Sequence, residues 1–164
     1  KSAIEDFAVL ANKLYSLDIT CLRYFNVFGP GQYGNSPYST AVSAWCHAIK
    51  TSQECRSDGD GEQSRDMVYV DNVVSANILA AQRKEPFKAQ CYNIGCNRKV
   101  SNNEILEVLK ERFGEKVKVK HAPVRAGDVK HTLANISKAK RDFGYEPLVH
   151  FWEGLEKTIQ FRNI

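Results

Sequence analysis

Residues 21–32, CLRYFNVFGPGQ, decide the fold class of this chain. The apolar run 19–28 is rich in β-branched and aromatic residues and has no helical period, so it predicts a buried strand. The Gly-Pro-Gly at 29–31 ends that strand with a turn. Asn26 is an amide inside the run, and ligands of open α/β sheets bind at the carboxyl ends of strands. We therefore expect a strand that presents Asn26 to a site and then continues into a loop.

Helical and strand patterns alternate outward from that strand. Residues 2–16 place apolar side chains at helical spacing and lead through a short break into the strand, as in half of a βαβ unit. Ser101 and Glu104 have the spacing of a capping box before a helix that ends at Gly114, where we expect a left-handed cap. Asp71 is placed to cap another helix. Further helices are predicted over 38–50, 73–84 and 151–161, and further strands over 65–70, 90–94 and 117–121. The fold class is α/β with mixed sheet character.

The beginning of the sequence suggests a fragment of a longer protein. The chain starts with Lys1 rather than Met, and the strand expected before the first helix of a βαβ unit does not precede residues 2–16.

Composition indicates an ordinary globular domain and argues against several classes of partner. Of the 164 residues, 43% are hydrophobic and 26% are charged. No apolar run approaches the ~20 residues of a membrane span, so no membrane partner is expected. The net charge of +4 is scattered, and its densest cluster, at 116–120, has the alternation of a solvated strand face. We therefore expect no nucleic-acid partner.

The five cysteines contain no Cys-x-x-Cys spacing, and the four histidines are not spaced as their metal partners. This pattern predicts reduced structural thiols in a cytoplasmic protein, with no metal site and no disulfide framework.

Three predicted loops hold polar residues that a packed core does not need. They follow Asn26, lead into Arg65 at 58–65, and contain Arg125 and Asp128 at 125–128. Two arginines in glycine-bearing loops suit a bidentate clamp on a pyrophosphate, and a carboxylate such as Asp128 suits ribose hydroxyls. The alternative is a local ion pair between Arg65 and Asp66 beside a solvated loop. The residues alone indicate an anion-binding α/β protein.

A family resemblance covers nearly the whole chain. RYFNVFGPGQ, GDGEQSRDMVYVDNVVSANILAA, YNIG, RAGDVKHTLANISKAKRDFGYEP and EGLEKTI occur in the order seen in extended short-chain dehydrogenase/reductases that act on nucleotide sugars. The chain most resembles UDP-sugar 4-epimerases, particularly those that handle N-acetylhexosamines. PYSTAVSAW is similar to their substrate loop, although Ser43 replaces a usual proline. The resemblance implies that residues 1–30 end an NAD-binding Rossmann domain. Residues 31–164 would then form mainly the substrate-binding domain, with 65–96 contributing to the cofactor sheet.

The resemblance also implies which residues act. In this family a Tyr-x-x-x-Lys pair serves catalysis with NAD, and Lys1 matches its lysine, so the tyrosine would precede the sequence. Lys1, Tyr24 and Phe25 would contact the cofactor. Arg56 to Asp58 match the segment that lies along the uracil, where the family usually has an aromatic or aliphatic residue. The implied substrate contacts are Asn26 with the diphosphate or sugar, Thr40 and Ala41 with the nucleotide, Arg65 and Arg125 with the pyrophosphate, Asp128 with the ribose, and Thr132 near the sugar.

The implied activity is 4-epimerisation of a UDP-hexose or UDP-N-acetylhexosamine through transient oxidation at C4, in a homodimer that pairs helix 2–16 in a four-helix bundle. The fragment itself is expected to be inactive. A 4,6-dehydratase or decarboxylase of the same family, and a non-catalytic nucleotide-sugar-binding module, are the alternatives.

Overall fold

The computed structural model of the protein describes residues 1–36 and 38–164; Pro37, the last residue of the predicted 31–37 loop, lies outside them. Helices and short strands alternate along the chain, as the sequence predicts. The helices are α1 Ser2–Tyr15, α2 Ala41–Lys50, α3 Val70–Gln82, α4 Asn102–Phe113, α5 Ser137–Phe143 and α6 Phe151–Arg162. The strands are β1 Cys21–Tyr24, β2 Asn26–Phe28, β3 Cys55–Asp58, β4 Ser64–Tyr69, β5 Cys91–Ile94, β6 Lys99–Ser101 and β7 Val119–Ala122.

The run 19–28 forms two strands rather than the single strand predicted. β1 pairs in parallel with β5, whereas β2 pairs in parallel with β4, and Phe25 is the residue between them. The Phe25 N–H still donates to Ile94 O over 3.0 Å, so the change of partner occurs within one residue. The prediction of a buried strand holds only for its end, because Phe28 is buried while Arg23 and Tyr24 are exposed.

Two further strand pairs complete the sheets. β4 also pairs in antiparallel fashion with β6, a three-residue strand that the sequence did not predict. β3 and β7 form a separate parallel pair, although more than 50 residues of sequence lie between them. Gly59 and Gly61 turn the chain from β3 into β4 with φ of 66° and 75°, values that favour glycine. This tight turn, predicted at 59–62, brings the ends of β3 and β4 together.

The core has two parts. The larger part surrounds Trp45, Phe28, Met67, Leu109 and Leu155, which α2, α4 and α6 pack against β2 and β4. The smaller part lies under α3 and α5 and contains an edge-to-face group of Phe87, Tyr92 and Phe143, with ring centroids 5.1–5.9 Å apart. Each large apolar side chain buried in this way contributes about 1.5–3 kcal/mol to folding.

Helix ends follow the predicted capping residues in part. The Ser101–Glu104 capping box forms as predicted. Thr40 caps α2, which therefore begins at Ala41 and not at residue 38. Asp71 does not cap α3; it lies in the first turn, because β4 continues directly into the helix and Tyr69 occupies the cap position. Gly114 has a positive φ of 55°, but its ψ of −129° leads into a short 3-10 turn and not into the left-handed helical region.

All five cysteines are free thiols, which agrees with the sequence prediction. Burial raises the pKa of Cys46 and of Cys55 to about 11, so both remain protonated at neutral pH. Within residues 1–36 and 38–164, no helix is both long enough and apolar enough to cross a membrane, and no cluster of His, Cys, Asp and Glu could hold a metal ion.

Candidate functional site

Most of the predicted substrate residues line one cleft of about 660 Å³. It is bounded by the N-terminal part of α2, the polar face of β3, the start of β4 and the loop at 125–128. The predicted residues that line it are Asn26, Thr40, Ala41, Arg65, Arg125 and Asp128. They come from four separate parts of the chain, and the fold brings them together in this cleft.

Arg65, at the start of β4, is held firmly in the wall of the cleft. Its Nη2 donates to Asp128 Oδ1 over 2.6 Å, and its Nη1 donates to the carbonyls of Ser64 and Lys130 over 3.0 and 3.1 Å. Its side chain is only 18% exposed. Because a guanidinium has five N–H donors, these bonds leave donors for a ligand.

Asp66 is not the partner of Arg65, so the alternative of a local ion pair is wrong. Asp66 is fully buried and accepts from the backbone N–H of Cys96 over 2.7 Å and of Ala134 over 3.0 Å. Burial raises the pKa of its carboxyl group, although these N–H groups favour the ionised form. Its role is structural, because it joins β4 to the segments after β5 and before α5.

Arg125 is held by Asp58, a contact that the sequence did not indicate. Arg125 Nε lies 2.7 Å from Asp58 Oδ2, and Arg56 Nε donates to Asp58 Oδ1, also over 2.7 Å. The Asp58 side chain is 14% exposed, whereas the two arginines are 57% and 59% exposed. One largely buried carboxylate therefore holds two cleft-lining guanidinium groups by their Nε atoms.

A network of amide and hydroxyl groups joins β2 to α2 along another wall. Gln32 Nε2 donates to Val27 O over 2.9 Å, and Gln32 Oε1 accepts from the hydroxyls of Thr40 and Ser43. Thr40 Oγ1 in turn accepts from the Ser43 N–H. These contacts place the first turn of α2, whose free N–H groups carry partial positive charge, beside the cleft. Ser43, which stands where the family usually has a proline, contributes its hydroxyl and its N–H to this network.

The other predicted site residues do not line this cleft. Lys1 is exposed at the N-cap of α1. Phe25 is the residue between β1 and β2. Tyr24 lines a separate hollow, where its hydroxyl donates to Asn77 Oδ1 over 3.0 Å. Thr132 donates its N–H to Ser64 O over 3.0 Å, and its hydroxyl accepts weakly from the Asp66 N–H.

The guanidinium donors of the cleft suit an anion. Three arginines and three carboxylates line it, so their formal charges balance: Arg56, Arg65 and Arg125 against Glu54, Asp58 and Asp128. Asp58 and Asp128 hold the arginines without using all of their N–H donors. The arrangement is chemically suited to several charge-assisted hydrogen bonds with phosphate oxygens.

A sequence profile described as the NAD dependent epimerase/dehydratase family matches residues 1–95. The chain belongs to this family. The UDP-glucuronate 4-epimerase of Thermodesulfobacterium geofontis is 32% identical over 162 residues, which cover 98% of this chain and 48% of that protein. A UDP-N-acetyl-alpha-D-glucosaminuronate decarboxylase of Bacillus cytotoxicus is 27% identical over 168 residues, which cover 98% of this chain and 51% of that protein. The chain thus spans about half the length of the curated relatives it matches.

Solved structures of the family superimpose closely on the chain. The UDP-glucose 4-epimerase of Thermotoga maritima, solved with UDP-glucose, is 35% identical with a TM-score of 0.91 and covers 99% of this chain and 52% of that one. The UDP-N-acetylglucosamine 4-epimerase of Methanobrevibacter ruminantium, in complex with UDP-N-acetylmuramic acid, is 33% identical with a TM-score of 0.88 and covers 98% of this chain and 51% of that one.

A third solved structure contains the cofactor. It is the UDP-glucuronic acid 4-epimerase of Bacillus cereus in complex with UDP-glucuronic acid and NAD, at 27% identity and a TM-score of 0.87, and it covers 97% of this chain and 49% of that one. The predicted fold class, that of an extended short-chain dehydrogenase/reductase, is confirmed, and the cofactor of this family is NAD.

Proposed function

We propose that this chain is the nucleotide-sugar-binding part of an NAD-dependent UDP-sugar 4-epimerase. The observation that carries the proposal is the convergence of Arg65, Arg125 and Asp128 with Asn26 and Thr40 in one cleft. The named activities of the relatives, most of them UDP-sugar 4-epimerases, support the choice of substrate class. The sugar would be a hexose or an N-acetylhexosamine, and both kinds occur among the solved neighbours.

Each predicted substrate residue has a role in this proposal. Arg65 and Arg125 bind the pyrophosphate, Asp128 the ribose hydroxyls, and Thr40 and Ala41 the nucleotide at the start of α2. Asn26 donates its amide to the diphosphate or to the sugar. In the described part of the chain no residue hydrogen-bonds to the Asn26 side chain, so this amide remains available at the cleft. Thr132 would lie near the sugar.

Residues that could meet NAD lie on the first helix and strand. Lys1 supplies an exposed cation, which suits ribose hydroxyls. Tyr24 on β1 is exposed and Phe25 beside it is half-buried, and these aromatic rings suit the face of a nicotinamide. NAD held there would supply reversible hydride transfer at C4 of the sugar. The proposed part of Lys1 is to hold the nicotinamide ribose and, through its fixed charge, to lower the pKa of the paired tyrosine, which would precede the sequence.

A calorimetric titration with UDP, on this chain and on the full-length protein that contains it, tests the binding proposal. Replacing Arg65 or Arg125 by Ala should weaken UDP about tenfold or more, since a hydrogen bond to a charged group is worth about 1.5–3 kcal/mol. Arg141→Ala is the matched control: its Nε also donates to a neighbouring aspartate, Asp142, outside the cleft. Unchanged affinity in both cleft variants, or no UDP binding by either folded protein, would refute the assignment.

Turnover distinguishes the proposed activity from its alternatives. This chain with NAD and a UDP-sugar should give no product, and conversion by the chain alone would contradict its role as one part of the enzyme. The full-length protein should release the 4-epimer. Release of carbon dioxide from a UDP-uronate would instead favour a decarboxylase, an activity that the Bacillus cytotoxicus relative supports. UDP binding without any turnover by the full-length protein would favour a non-catalytic binding module.

We also propose that α1 forms an interface between two copies of the full-length protein. Its apolar residues Ile4, Phe7, Leu14 and Tyr15 are 62–71% exposed, which is unusual for side chains of this size. Phe7→Glu should convert a dimer to a monomer in analytical ultracentrifugation. Leu148→Glu, at an equally exposed leucine outside α1, should not, and a dimer that persists in Phe7→Glu would contradict this interface.

A further inference from the structure

Arg56 lines the cleft but has no predicted phosphate role. The family resemblance places it in the segment along the uracil, and the predicted pyrophosphate clamp consists of Arg65 and Arg125. Side chains alternate along β3: Cys55 and Ser57 are buried, whereas Arg56 and Asp58 lie on the opposite face, which lines the cleft. The backbone at Arg56 is fixed, because Trp45 Nε1 donates to its carbonyl over 2.8 Å and β7 pairs with it. Arg56 is therefore a long cation on a rigid base.

Asp58 pairs with both Arg56 and Arg125. Arg56 donates its Nε–H to Asp58 Oδ1, and Arg125 Nε forms an ion pair with Asp58 Oδ2; both N–O distances are 2.7 Å. This contact uses the inner edge of each guanidinium and leaves the outer Nη1 and Nη2 donors of both, which hydrogen-bond to no residue in the described ranges. Two such forks, fixed by one carboxylate, match the several oxygens of a phosphate group.

We propose that Asp58 positions Arg56 and Arg125 as a paired fork for the terminal phosphate of a nucleoside diphosphate, the group that carries the sugar. Arg65, held separately by Asp128, then serves the remaining part of the pyrophosphate. This inference rests on the proposed function, since it names further residues of the same site. It assigns Arg56 to the phosphate and not to the base, and it makes Asp58 a positioning residue.

Titrations with UDP and with UMP test this assignment, on this chain and on the full-length protein. If Arg56 serves the terminal phosphate, Arg56→Ala should weaken UDP about tenfold and change UMP affinity less than twofold, so that the preference for UDP over UMP falls. A tenfold loss corresponds to about 1.4 kcal/mol, close to the lower end expected for an exposed charge-assisted hydrogen bond. Arg56→Lys should restore only part of the preference, because an ammonium group lacks the fork.

Asp58→Asn distinguishes positioning from simple charge. Removing a negative charge from an anion site should by itself strengthen UDP binding. If Asp58 positions both arginines, its loss should instead weaken UDP at least threefold and lower the preference for UDP over UMP. Stronger UDP binding in Asp58→Asn would overturn the positioning role.

The other outcomes separate this inference from the proposed function. If Arg65→Ala and Arg125→Ala weaken UDP while Arg56→Ala does not, the site stands and the paired fork is wrong. If Arg56→Ala weakens UMP and UDP equally, Arg56 acts on the nucleoside or first phosphate and the inference is overturned. Arg141→Ala is again the control, and circular dichroism melting confirms that each variant is folded.

Discussion

Asn72 provides a sharp test of the packing between α3 and the segment before α6. It is fully buried, and its side chain accepts from the N–H groups of Leu148 and Val149 over 2.8 and 2.9 Å and donates to Val149 O over 2.7 Å. One amide therefore satisfies three backbone groups that lie beneath the helix. Replacing it by Ala removes all three hydrogen bonds.

The expected loss follows from these contacts. Three hydrogen bonds at about 1 kcal/mol each give a destabilisation of about 3 kcal/mol. For a chain of this size, about 3 °C of melting temperature corresponds to 1 kcal/mol, so Asn72→Ala should melt about 9 °C lower. Asn72→Asp keeps the shape but turns a carboxylate oxygen towards Val149 O, and the buried charge should make it less stable still at neutral pH.

Urea unfolding followed by circular dichroism measures both losses. Gln82→Ala is the matched control, because Gln82 lies on the same helix, is exposed and forms no side-chain hydrogen bond with a described residue, so its loss should stay within about 0.5 kcal/mol. The stability of Asn72→Asp should recover as the pH is lowered and its carboxyl group gains a proton. A cost for Asn72→Ala no larger than that of Gln82→Ala would refute this account of the packing.

Three further predictions concern stability. The pKa of Asp66 is raised in the folded chain, so the folded state holds the proton of this carboxyl group more tightly than the unfolded state does. In urea titrations, the free energy of unfolding of the wild type relative to Asp66→Asn should therefore fall as the pH rises from 4 to 7. A relative stability that grows over this range would contradict the raised pKa. Ser101→Ala should lose about 1 kcal/mol in chemical denaturation through loss of the capping box, and an unchanged midpoint would show that the box is not needed. Gly154→Ala should lower the melting temperature although Ala favours helices, since its Cβ would lie 2.7 Å from Tyr69 and 3.0 Å from Phe28; a higher melting temperature would mean that α6 shifts at little cost.

Local patterns explain why much of the fold was predictable. The Ser101–Glu104 box and the run that became β4 carry their signal within a few residues, and both formed where expected. The division of the run 19–28 at Phe25 was not predictable in this way, because it depends on which neighbour each half finds in the sheet. β6 was missed because three residues are too few to show a period.

In the site, too, the sequence indicated the residue types but not their contacts. The residue types of Arg65, Arg125 and Asp128 pointed to an anion site, and the structure places all three in one cleft. Their partners could not be inferred from spacing: Asp58 holds Arg125 across 67 positions of sequence, and Arg65 prefers Asp128 to its neighbour Asp66. Such contacts follow from the pairing of β3 with β7, which only the folded chain shows.

The separate parallel pair of β3 and β7 couples ligand occupancy to the integrity of the whole chain. The groups that line the cleft extend from Asn26 to Asp128, so the cleft cannot form until segments about 100 residues apart have come together. A nucleotide that binds only the assembled cleft would raise the free energy of unfolding by about 2.7 kcal/mol at 100 times its Kd. A thermal melting curve can therefore serve as a binding assay, and the melting temperature should rise by about 8 °C at that nucleotide concentration.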